Sequence, residues 1–337
     1  MTIQDYFYTL ETHLDKFPSN RDYIALYKGF KDFMDSQVHP EIKTVTTRLD
    51  DTIYLNDHSD KHVSMVIEKI SQLLGNDIST YISEYELFFL LMAIQIHDAG
   101  HIIQGRDGHE AAAGEFLNIF NKYTISSIER QVIKKVAEAH SGKHDPIGKL
   151  KNCLVSGQYV RARLLAALLR FGDELADGNS RASSYILDLD KIPAGSRLFH
   201  VFSGCLDTFN ASSDSGSVDM SFCIGKNHLK EKFKKATKSG EIEIYLIDEI
   251  YIRSIKTYTE CLYYNRFVPE KLRMSVVNVN IYFLNEHGDE YYDPISYRLE
   301  EKGYPKVLSE NIFELSDTLK RDGNDLTGSY ICEQIKD

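Results

Sequence analysis

Apolar residues recur every three or four positions along much of the first half of the chain, as they do on one face of a helix. The first such stretch predicts a helix from about Asp22 to Ser36, with a cap at Ser19–Asn20 and an end before Pro40. Its apolar stripe consists of Tyr23, Leu26, Tyr27, Phe30 and Phe33. Stripes of this spacing are typical of a helix face in a core, so we expect these side chains to be buried.

Two capping boxes mark where later helices begin. Ser83-x-x-Glu86 opens a helix that ends at His97, and Ser126-x-x-Glu129 opens another that ends at Ala139–His140. In such a box the serine hydroxyl and the glutamate carboxylate each accept a hydrogen bond from a backbone N–H group. Both helices are therefore predicted to begin at the box and to end in a histidine.

Three more segments have a helical spacing of apolar residues. They run from a cap at Asp57 or Ser59 to Gly75, from about Gly108 to Phe120, and from Gly157 to Gly178. The first of these segments contains His62. Glycines interrupt residues 99–108, which we predict to be a loop over the site described below.

The pattern changes after about Leu187. Residues 198–224 contain Ser and Gly clusters between short apolar runs, which predicts a hairpin or small sheet. Val276–Leu284 predicts a further strand, whereas residues 227–236 and 241–265 look helical and residues 311–337 weakly so. The expected fold is mainly α: a helical bundle followed by a smaller α+β C-terminal region.

The most informative stretch is the end of the helix that stops at His97. An apolar run from Leu90 to Ile96, interrupted only by Gln95, ends abruptly in His97 and Asp98, and small and polar residues follow. A helix with this pattern delivers an imidazole and a carboxylate from its buried end into a pocket, and both groups are metal ligands. His-Asp pairs also occur by chance, so this pair gains its meaning from histidines and aspartates elsewhere in the chain.

Those companions lie on or near other helical segments. They are His62 upstream, His109 and His140 downstream, and then Asp173. Three of the segments bring a histidine or aspartate to an end that faces a common centre, as expected of an all-α bundle. Seven of the twelve histidines fall within residues 58–144, a clustering that favours ligands over unrelated core or surface histidines.

Read in order, these residues form H…HD…H…H…D, a pattern that resembles the HD superfamily of metal-dependent phosphohydrolases over about residues 50–185. His62 corresponds to the first histidine and His97–Asp98 to the doublet. Asp173 corresponds to the last aspartate, within Leu169–Asp177, which looks like the family's LR-x-x-D-x-L-x-D helix. The resemblance implies an HD-type helical domain and a metal-dependent phosphohydrolase.

The resemblance also implies a ligand set. His62, His97, Asp98 and Asp173 would hold a first ion. His109 and His140 stand where two-metal members place extra ligands, with Asp98 bridging; alternatively, they contact phosphate or act as general acid. Such nitrogen and oxygen donors favour Mn, Mg, Fe, Co or Ni, so we expect one or two divalent ions as the cofactor.

Further candidates come from the same comparison. His101, His109 and Glu110 form a segment loosely similar to the HD-x-GH…GH-x-GE pattern of the nucleoside triphosphate-hydrolysing branch, with a longer interval between the two histidines. With His140, these three are the candidate catalytic residues. The candidate substrate-binding residues are His58, Lys143, Arg170 and Arg181. Arg170 could equally pair with Asp173 or Asp177 on its own helix.

The charge of the chain limits the partners. The net charge of −11 argues against binding to long nucleic acids, which needs a basic surface. Residues 143–170 nevertheless contain six basic residues and one acidic residue, an excess that suits phosphates or a solvated face equally. The expected partner is a small nucleotide substrate.

Composition and motifs elsewhere favour an ordinary globular protein, with 42% hydrophobic and 26% charged residues. We find no apolar run approaching the roughly 20 residues that span a bilayer, and no signal-peptide pattern at the N-terminus. The five cysteines are scattered, without a Cys-x-x-Cys motif. We therefore expect a cytoplasmic protein with reduced thiols and no membrane partner.

Three functions remain open from the sequence. The first is a (deoxy)nucleoside triphosphate phosphohydrolase, and the second is a phosphodiesterase acting on cyclic nucleotides or short oligonucleotides. The third is a non-catalytic nucleotide-binding HD module, which the intact doublet and Asp173 disfavour. A nuclease on long single strands ranks below these because the chain is acidic.

The domain organisation follows from the same resemblance. We predict an HD-type domain over residues 1–187, with its core at 50–185, and an α+β region over residues 188–337 for capping or oligomerisation. The chain loosely resembles HD domains of bacterial conflict and defence proteins, which implies a role in antiviral defence. Related hydrolases assemble as oligomers, so a homo-oligomer is expected.

Overall fold

The computed structural model describes nine stretches of the chain. They are residues 1–46, 60–104, 109–121, 125–142, 144–178, 192–237, 240–285, 287–300 and 309–335. These residues form two compact units: the first comprises those up to Ala176 together with Tyr264–Arg273, and the second comprises the rest. The predicted boundary between residues 187 and 188 lies outside the described residues, as do the predicted caps Asp57 and Ser59.

The first unit is helical, as its apolar periodicity predicts. Its helices are α1 (Ile3–Thr9), α2 (Tyr23–Phe33), α3 (His39–Thr46), α4 (Asp60–Leu74), α5 (Ile78–Tyr81), α6 (Glu84–Ile96), α7 (His101–Gln104), α8 (His109–Ala112), α9 (Glu115–Asn121), α10 (Ser127–Glu138) and α11 (Ala162–Leu175). A short hairpin of β1 (Cys153–Val155) and β2 (Gln158–Val160) precedes α11. The mainly α prediction is confirmed.

Helix α6 forms the centre of the first unit. Every residue from Tyr85 to Ile96 is buried, so the helix is surrounded on all sides. By length and composition the stretch Glu84–Ile103 could cross a membrane, contrary to the expectation that no run approaches that length. Because 89% of its apolar window is buried inside the protein, the stretch has the environment of a core helix.

Both predicted capping boxes are present, and each glutamate also makes a distant contact. Glu86 accepts a hydrogen bond from the backbone N–H of Ser83 at 3.0 Å and two from Arg161 through Oε1, each at 2.8 Å. Glu129 accepts hydrogen bonds from the hydroxyls of Tyr23 and Tyr85, at 2.6 and 2.7 Å. The two boxes therefore begin α6 and α10. In addition, Glu86 joins α6 to the start of α11, and Glu129 joins α10 to α2 and α6.

Several predicted boundaries in the first unit are wrong. Asp22, rather than Ser19–Asn20, caps α2. Pro40 does not end the helical path, because Met34–Val38 forms a π turn that leads into α3 and places the proline in its first turn. The predicted loop over residues 99–108 contains α7, and the predicted helix over 108–120 divides into α8 and α9.

The second unit combines helices with small sheets, which confirms the predicted α+β C-terminal region. Its helices are α12 (Ala194–Cys205), α13 (Lys226–Lys230), α14 (Leu246–Tyr264, whose last residue belongs to the first unit), α15 (Ile312–Leu315) and α16 (Gly328–Gln334). Its strands are β3 (Leu206–Ser212), β4 (Ser217–Ile224), β5 (Lys232–Thr237), β6 (Gly240–Tyr245), β7 (Val276–Leu284), β8 (Glu290–Glu300), β9 (Lys320–Arg321) and β10 (Asn324–Asp325).

The main sheet has the order β3-β4-β7-β8, with β4 and β7 parallel and the outer pairs antiparallel. Val218 on β4 is paired with Val277 on β7, and Val277 with Leu299 on β8, so one face of the sheet is apolar and buried. The predicted strand Val276–Leu284 is confirmed as β7. The helices predicted over 227–236 and 241–265 each contain a strand, because β5 and β6 pair as a hairpin.

Candidate metal centre

Three long helices place the first group of predicted ligands together in the first unit. His62 lies on α4, His97 and Asp98 follow α6, and Asp173 lies on α11. The Nε2 atoms of His62 and His97 are 3.3 Å apart. Asp98 Oδ2 lies 3.5 Å from the first and 3.3 Å from the second. Asp173 Oδ1 completes this group, which we call the first pocket, at 3.0 Å from His62 Nε2 and 3.7 Å from His97 Nε2.

A second group of donors lies on the other side of Asp98. His109 Nε2 is 3.4 Å from Asp98 Oδ1, and His140 Nε2 is 3.7 Å from the same oxygen. The two Nε2 atoms are 3.2 Å apart. We call Asp98 Oδ1, His109 and His140 the second pocket. The two oxygens of one carboxylate thus face two different sets of histidines, the arrangement predicted for a bridging ligand.

The backbone fixes which nitrogen each of two histidines presents. His97 donates its Nδ1–H to the carbonyl oxygen of Ile94 at 2.8 Å, and His140 donates its own to Ala137 at 2.6 Å. A carbonyl oxygen can only accept, so the hydrogen must be on Nδ1 in both rings. Nε2 of each ring is consequently the atom that faces Asp98. Both acceptors belong to the last turn of a helix, where carbonyls lack partners within the helix.

The electrostatics of the first pocket favour positive charge. Burial opposes a charge on His97, but the carboxylates of Asp98 and Asp173 outweigh it and raise the pKa of this imidazole well above its usual value. Burial would raise the pKa of Asp173, yet the neighbouring imidazoles of His62 and His97 hold that pKa well below its usual value. In the second pocket, burial and then the charge of His97 lower the pKa of His140.

His101 lies at the edge of the second pocket, against the ring of His109. Its ring is stacked on that of His109, with centroids 4.1 Å apart and planes 7° from parallel. An imidazole binds a metal along a lone pair in its own plane, so two parallel stacked rings cannot both direct lone pairs at one ion. Asp98, His101 and His109 are close enough to be considered a metal-binding group, but stacking favours His140 as the partner of His109.

The donors fit divalent ions in chemistry and spacing. Metal–ligand bonds of about 2.0–2.2 Å separate neighbouring ligand atoms by roughly 3.0–3.5 Å. The separations in the first pocket are close to this range, at 3.0 to 3.7 Å, and His62 and His97 are fully buried. His62, His97 and Asp98 together could hold a metal ion. The identity and number of ions stay predictions.

The remaining candidates lie in varied positions. Glu110 is behind His109, with Oε2 3.5 Å from Nδ1 of that ring. Arg170, one turn before Asp173 on α11, donates a hydrogen bond to the carbonyl of Gly142 at 2.9 Å and so joins α11 to the turn after His140. Their catalytic and substrate-binding roles stay predictions. His58, Lys143 and Arg181 lie outside the described residues.

Three of the six basic residues in the stretch 143–170 are engaged in the fold. Arg161 holds Glu86, and Arg163 donates hydrogen bonds to the carbonyls of Gly148 and Leu150 at 3.0 and 2.8 Å. Together with the Arg170 contact to Gly142, these bonds give the arginines structural roles. The excess of basic residues in this stretch is therefore only partly a surface for phosphates.

One residue that supports the site has no indication in the sequence pattern. His39, at the start of α3, is buried and donates its Nε2–H to the carbonyl of Gln95 at 3.2 Å. This carbonyl lies in the last turn of α6, two residues before His97. The partners are 56 residues apart, so no local pattern joins them. Within the helical pattern around it, His39 resembles any other buried histidine.

A comparison with protein families matches residues 52–224 to the HD-CE model, which covers 173 of the 337 residues. The matched range contains every residue of both pockets and continues through β4. No curated protein and no solved structure matches the chain. The family match thus coincides with the part of the chain in which the histidines converge.

Proposed function

The chain belongs to the HD-CE family, an HD-type family of metal-dependent hydrolases, and we propose that it hydrolyses phosphate esters of nucleotides. The first substrate class that we propose is the (deoxy)nucleoside triphosphates. A phosphodiesterase acting on cyclic nucleotides or short oligonucleotides is the second candidate. Both reactions need ligands for divalent ions beside a place where a phosphate can bind.

One observation supports this proposal above the others: the two oxygens of Asp98 face different histidines. Oδ2 is 3.3 Å from His97 Nε2, and Oδ1 is 3.4 Å from His109 Nε2. The buried glutamates of the capping boxes accept hydrogen bonds from N–H and O–H groups, whereas both oxygens of Asp98 face imidazole nitrogens. A carboxylate placed between two groups of metal-binding nitrogens supports a site for two ions, which suits hydrolysis of phosphate esters.

The residues of the two pockets would have different roles in hydrolysis. Bound divalent ions would supply Lewis acidity, lowering the pKa of water and offsetting charge on the phosphoryl group. His62, His97 and Asp173 would hold one ion, and His109 and His140 the other. Asp98 fixes the two sets of ligands relative to each other. His101, with Nε2 3.8 Å from Asp98 Oδ1, is placed to hold or deliver a proton at the edge of the second pocket.

Triphosphates lead because of the residues around the second pocket. His101, His109 and Glu110 lie together there, and they form the segment that resembles the triphosphate-hydrolysing branch. The phosphodiesterase reading is favoured by a different observation, the 3.2 Å approach of His109 and His140 beside Asp98. A non-catalytic nucleotide-binding module is the least supported, because the predicted ligands are all present and lie together in the first unit.

Product analysis separates these candidates. The purified chain would be incubated with Mn²⁺ or Mg²⁺ and with NTPs, dNTPs, cyclic nucleotides or short oligonucleotides, and the products separated by chromatography. Release of nucleoside and tripolyphosphate would support the triphosphohydrolase, and linear monophosphates from cyclic or oligomeric substrates the phosphodiesterase. Asp98→Asn, which keeps the size of the side chain, is the matched control. Absence of any Asp98-dependent product would favour the binding module.

The biological setting is a further proposal. We propose a cytoplasmic homo-oligomer that takes part in antiviral defence by acting on nucleotides, on the basis of the resemblance to conflict-system HD domains. Light scattering of the purified chain would measure its mass in solution. A monomer at all concentrations would contradict the oligomer, and an unchanged nucleotide pool in infected cells expressing the chain would contradict the role in defence.

A further inference from the structure

Gly100 lies where the turn after α6 meets α8. Backbone hydrogen bonds from His101 to Asp98 and from Ile103 to Gly100 lead this turn into α7. A Cβ atom built on Gly100 would be 1.8 Å from the carbonyl oxygen of His109 and 2.6 Å from its carbonyl carbon. It would also be 3.1 Å from the backbone nitrogen of Ala113. The backbone of α8 therefore rests directly on this glycine.

This contact has a specific consequence for the second pocket. Gly100 is two residues after Asp98, and the residue whose carbonyl it touches is His109, so the contact joins two ligands through their backbones. With α8 in this position, His109 Nε2 is 3.4 Å from Asp98 Oδ1 and 3.2 Å from His140 Nε2. The first pocket does not depend on α8, since its ligands come from α4, α6 and α11.

We propose that Gly100 is the positioning residue of the second pocket: the absence of its side chain lets α8 place His109 beside Asp98, so that a second divalent ion binds. This inference rests on the proposed two-ion function. Any larger residue must move the backbones of residue 100 and His109 apart by about 1 Å or more, because real Cβ atoms essentially never approach other atoms within 3.0 Å. Metal sites tolerate errors of only about 0.2 Å in ligand distance.

The variant Gly100→Ala tests the proposal through metal content and spectroscopy. The purified chain and the variant would be loaded with Mn²⁺, counted by elemental analysis and examined by electron paramagnetic resonance. We expect two ions with an exchange-coupled signal in the unaltered chain. The variant should retain one uncoupled ion with an affinity within about threefold of the original, and hydrolysis should fall about 10²-fold, as for a 1 Å misplacement.

Gly29→Ala is the matched control. Gly29 lies in α2, and the same added methyl would only touch the ring of Phe120 at 3.7 Å, an ordinary contact. This variant should keep both ions and the coupled signal. The circular dichroism of both variants would be recorded in parallel, so that the fold and the metal content are measured on the same samples.

A double-mutant cycle locates the effect. If Gly100 acts through His109, then adding Gly100→Ala to His109→Ala, which already lacks a ligand of the second ion, should not lower the rate of hydrolysis further. An additive effect would overturn the proposal, as would two coupled ions in Gly100→Ala, or loss of both ions together with the helical signal. These outcomes leave the proposed function standing. A single ion in the unaltered chain would instead refute the two-ion site itself.

Discussion

The two pockets share Asp98 but are built differently. Two of the three long helices that form the first pocket bear fully buried histidines, His62 and His97. The second pocket takes His109 from α8, a helix of four residues, and this side chain is 14% exposed. Long helices are held by extensive packing, whereas a single turn depends on a few contacts.

The difference suggests that one pocket is set by the core and the other by local backbone contacts. Gly172 illustrates the first case: a Cβ there would be 2.4 Å from Cγ1 of Ile70, so α11 and α4 pack at close range at this point. Gly100 illustrates the second case, because it is in close contact with the backbone carbonyl of His109 at the start of α8. Substitutions should therefore separate the pockets, except at the carboxylate that they share.

The largest effect is expected from Asp98→Ala. This variant should remove the difference between the two pockets, because neither should bind an ion. Loss of the shared carboxylate removes one ligand from each, so both ions should be lost and hydrolysis should fall by at least about 10³-fold. Metal analysis and product chromatography measure this. Asp15→Ala, at an exposed carboxylate far from these ligands in sequence, should change neither. Normal metal content in the Asp98 variant would remove the basis for the site.

Asp173→Ala and His140→Ala should each affect ion binding in only one of the two pockets. Asp173 belongs to the first pocket alone, with Oδ1 3.0 Å from His62 Nε2, and His140 belongs to the second. The first variant should lose the first ion, and the second should keep it while losing the other and about 10²-fold in rate. Electron paramagnetic resonance of Mn²⁺-loaded samples shows which ion each variant has lost. If both variants lose the same ions, the pockets are a single site.

Gly172→Ala should weaken the first pocket through the core. The added methyl meets Cγ1 of the fully buried Ile70 at 2.4 Å, so either this side chain repacks or α11 moves from α4, the helices that bear Asp173 and His62. Overpacking of this kind destabilises by about 1–3 kcal/mol, so the melting temperature should fall. Affinity for the first ion should fall about tenfold while His109 and His140 stay in place. An unchanged melting temperature would show that Ile70 repacks around the added methyl without cost.

The smallest effect on the site is expected from Glu86, at the far end of α6. Burial raises the pKa of Glu86, but the N–H donors of Arg161 and Ser83 outweigh it and hold the pKa below its ordinary value of 4.5. Because the folded pKa is the lower one, Glu86 contributes stability above about pH 4.5 and loses that contribution as the pH falls through the folded value.

Urea unfolding between pH 7 and pH 3 tests this prediction. Glu86→Gln should lower stability at pH 7 and flatten its decline in acid, because the variant has no carboxylate to protonate there. Metal content at pH 7 should be unchanged, since the substitution is about three turns from His97. A parallel decline in both proteins would mean that other carboxylates govern the acid response.

The periodicity of the sequence indicates the helices of the first pocket more clearly than those of the second, and the reason is physical. His62, His97 and Asp173 lie on long amphipathic or buried helices, whose periodicity indicates both the helix and its inner face. Helices α7 and α8 have four residues each, too short for a period to be visible. The close approach at Gly100 depends on the turn after α6 meeting α8 in the folded chain, and no local sequence pattern indicates such a contact.

The second unit shows a similar limit. Residues Glu241 to Tyr245 alternate between polar and apolar, a strand signal, yet the helical period of the following α14 dominates a longer window. The strand exists because β6 pairs with β5, as in the match of Ile244 with Phe233. The strand β7 was predicted correctly because Asn278 and Asn280 alternate with apolar, mostly β-branched residues and no helical period competes.

The hydrogen bonds from His97 to Ile94 and from His140 to Ala137 have a consequence for the choice of metal. Each ring takes its orientation from a peptide carbonyl one helical turn before it, so the ion does not need to turn the ligand towards itself. Manganese, iron or magnesium would meet the same nitrogen atoms at the same angles. Selection among them would then depend on the hardness of the donors and on which ion the surroundings supply.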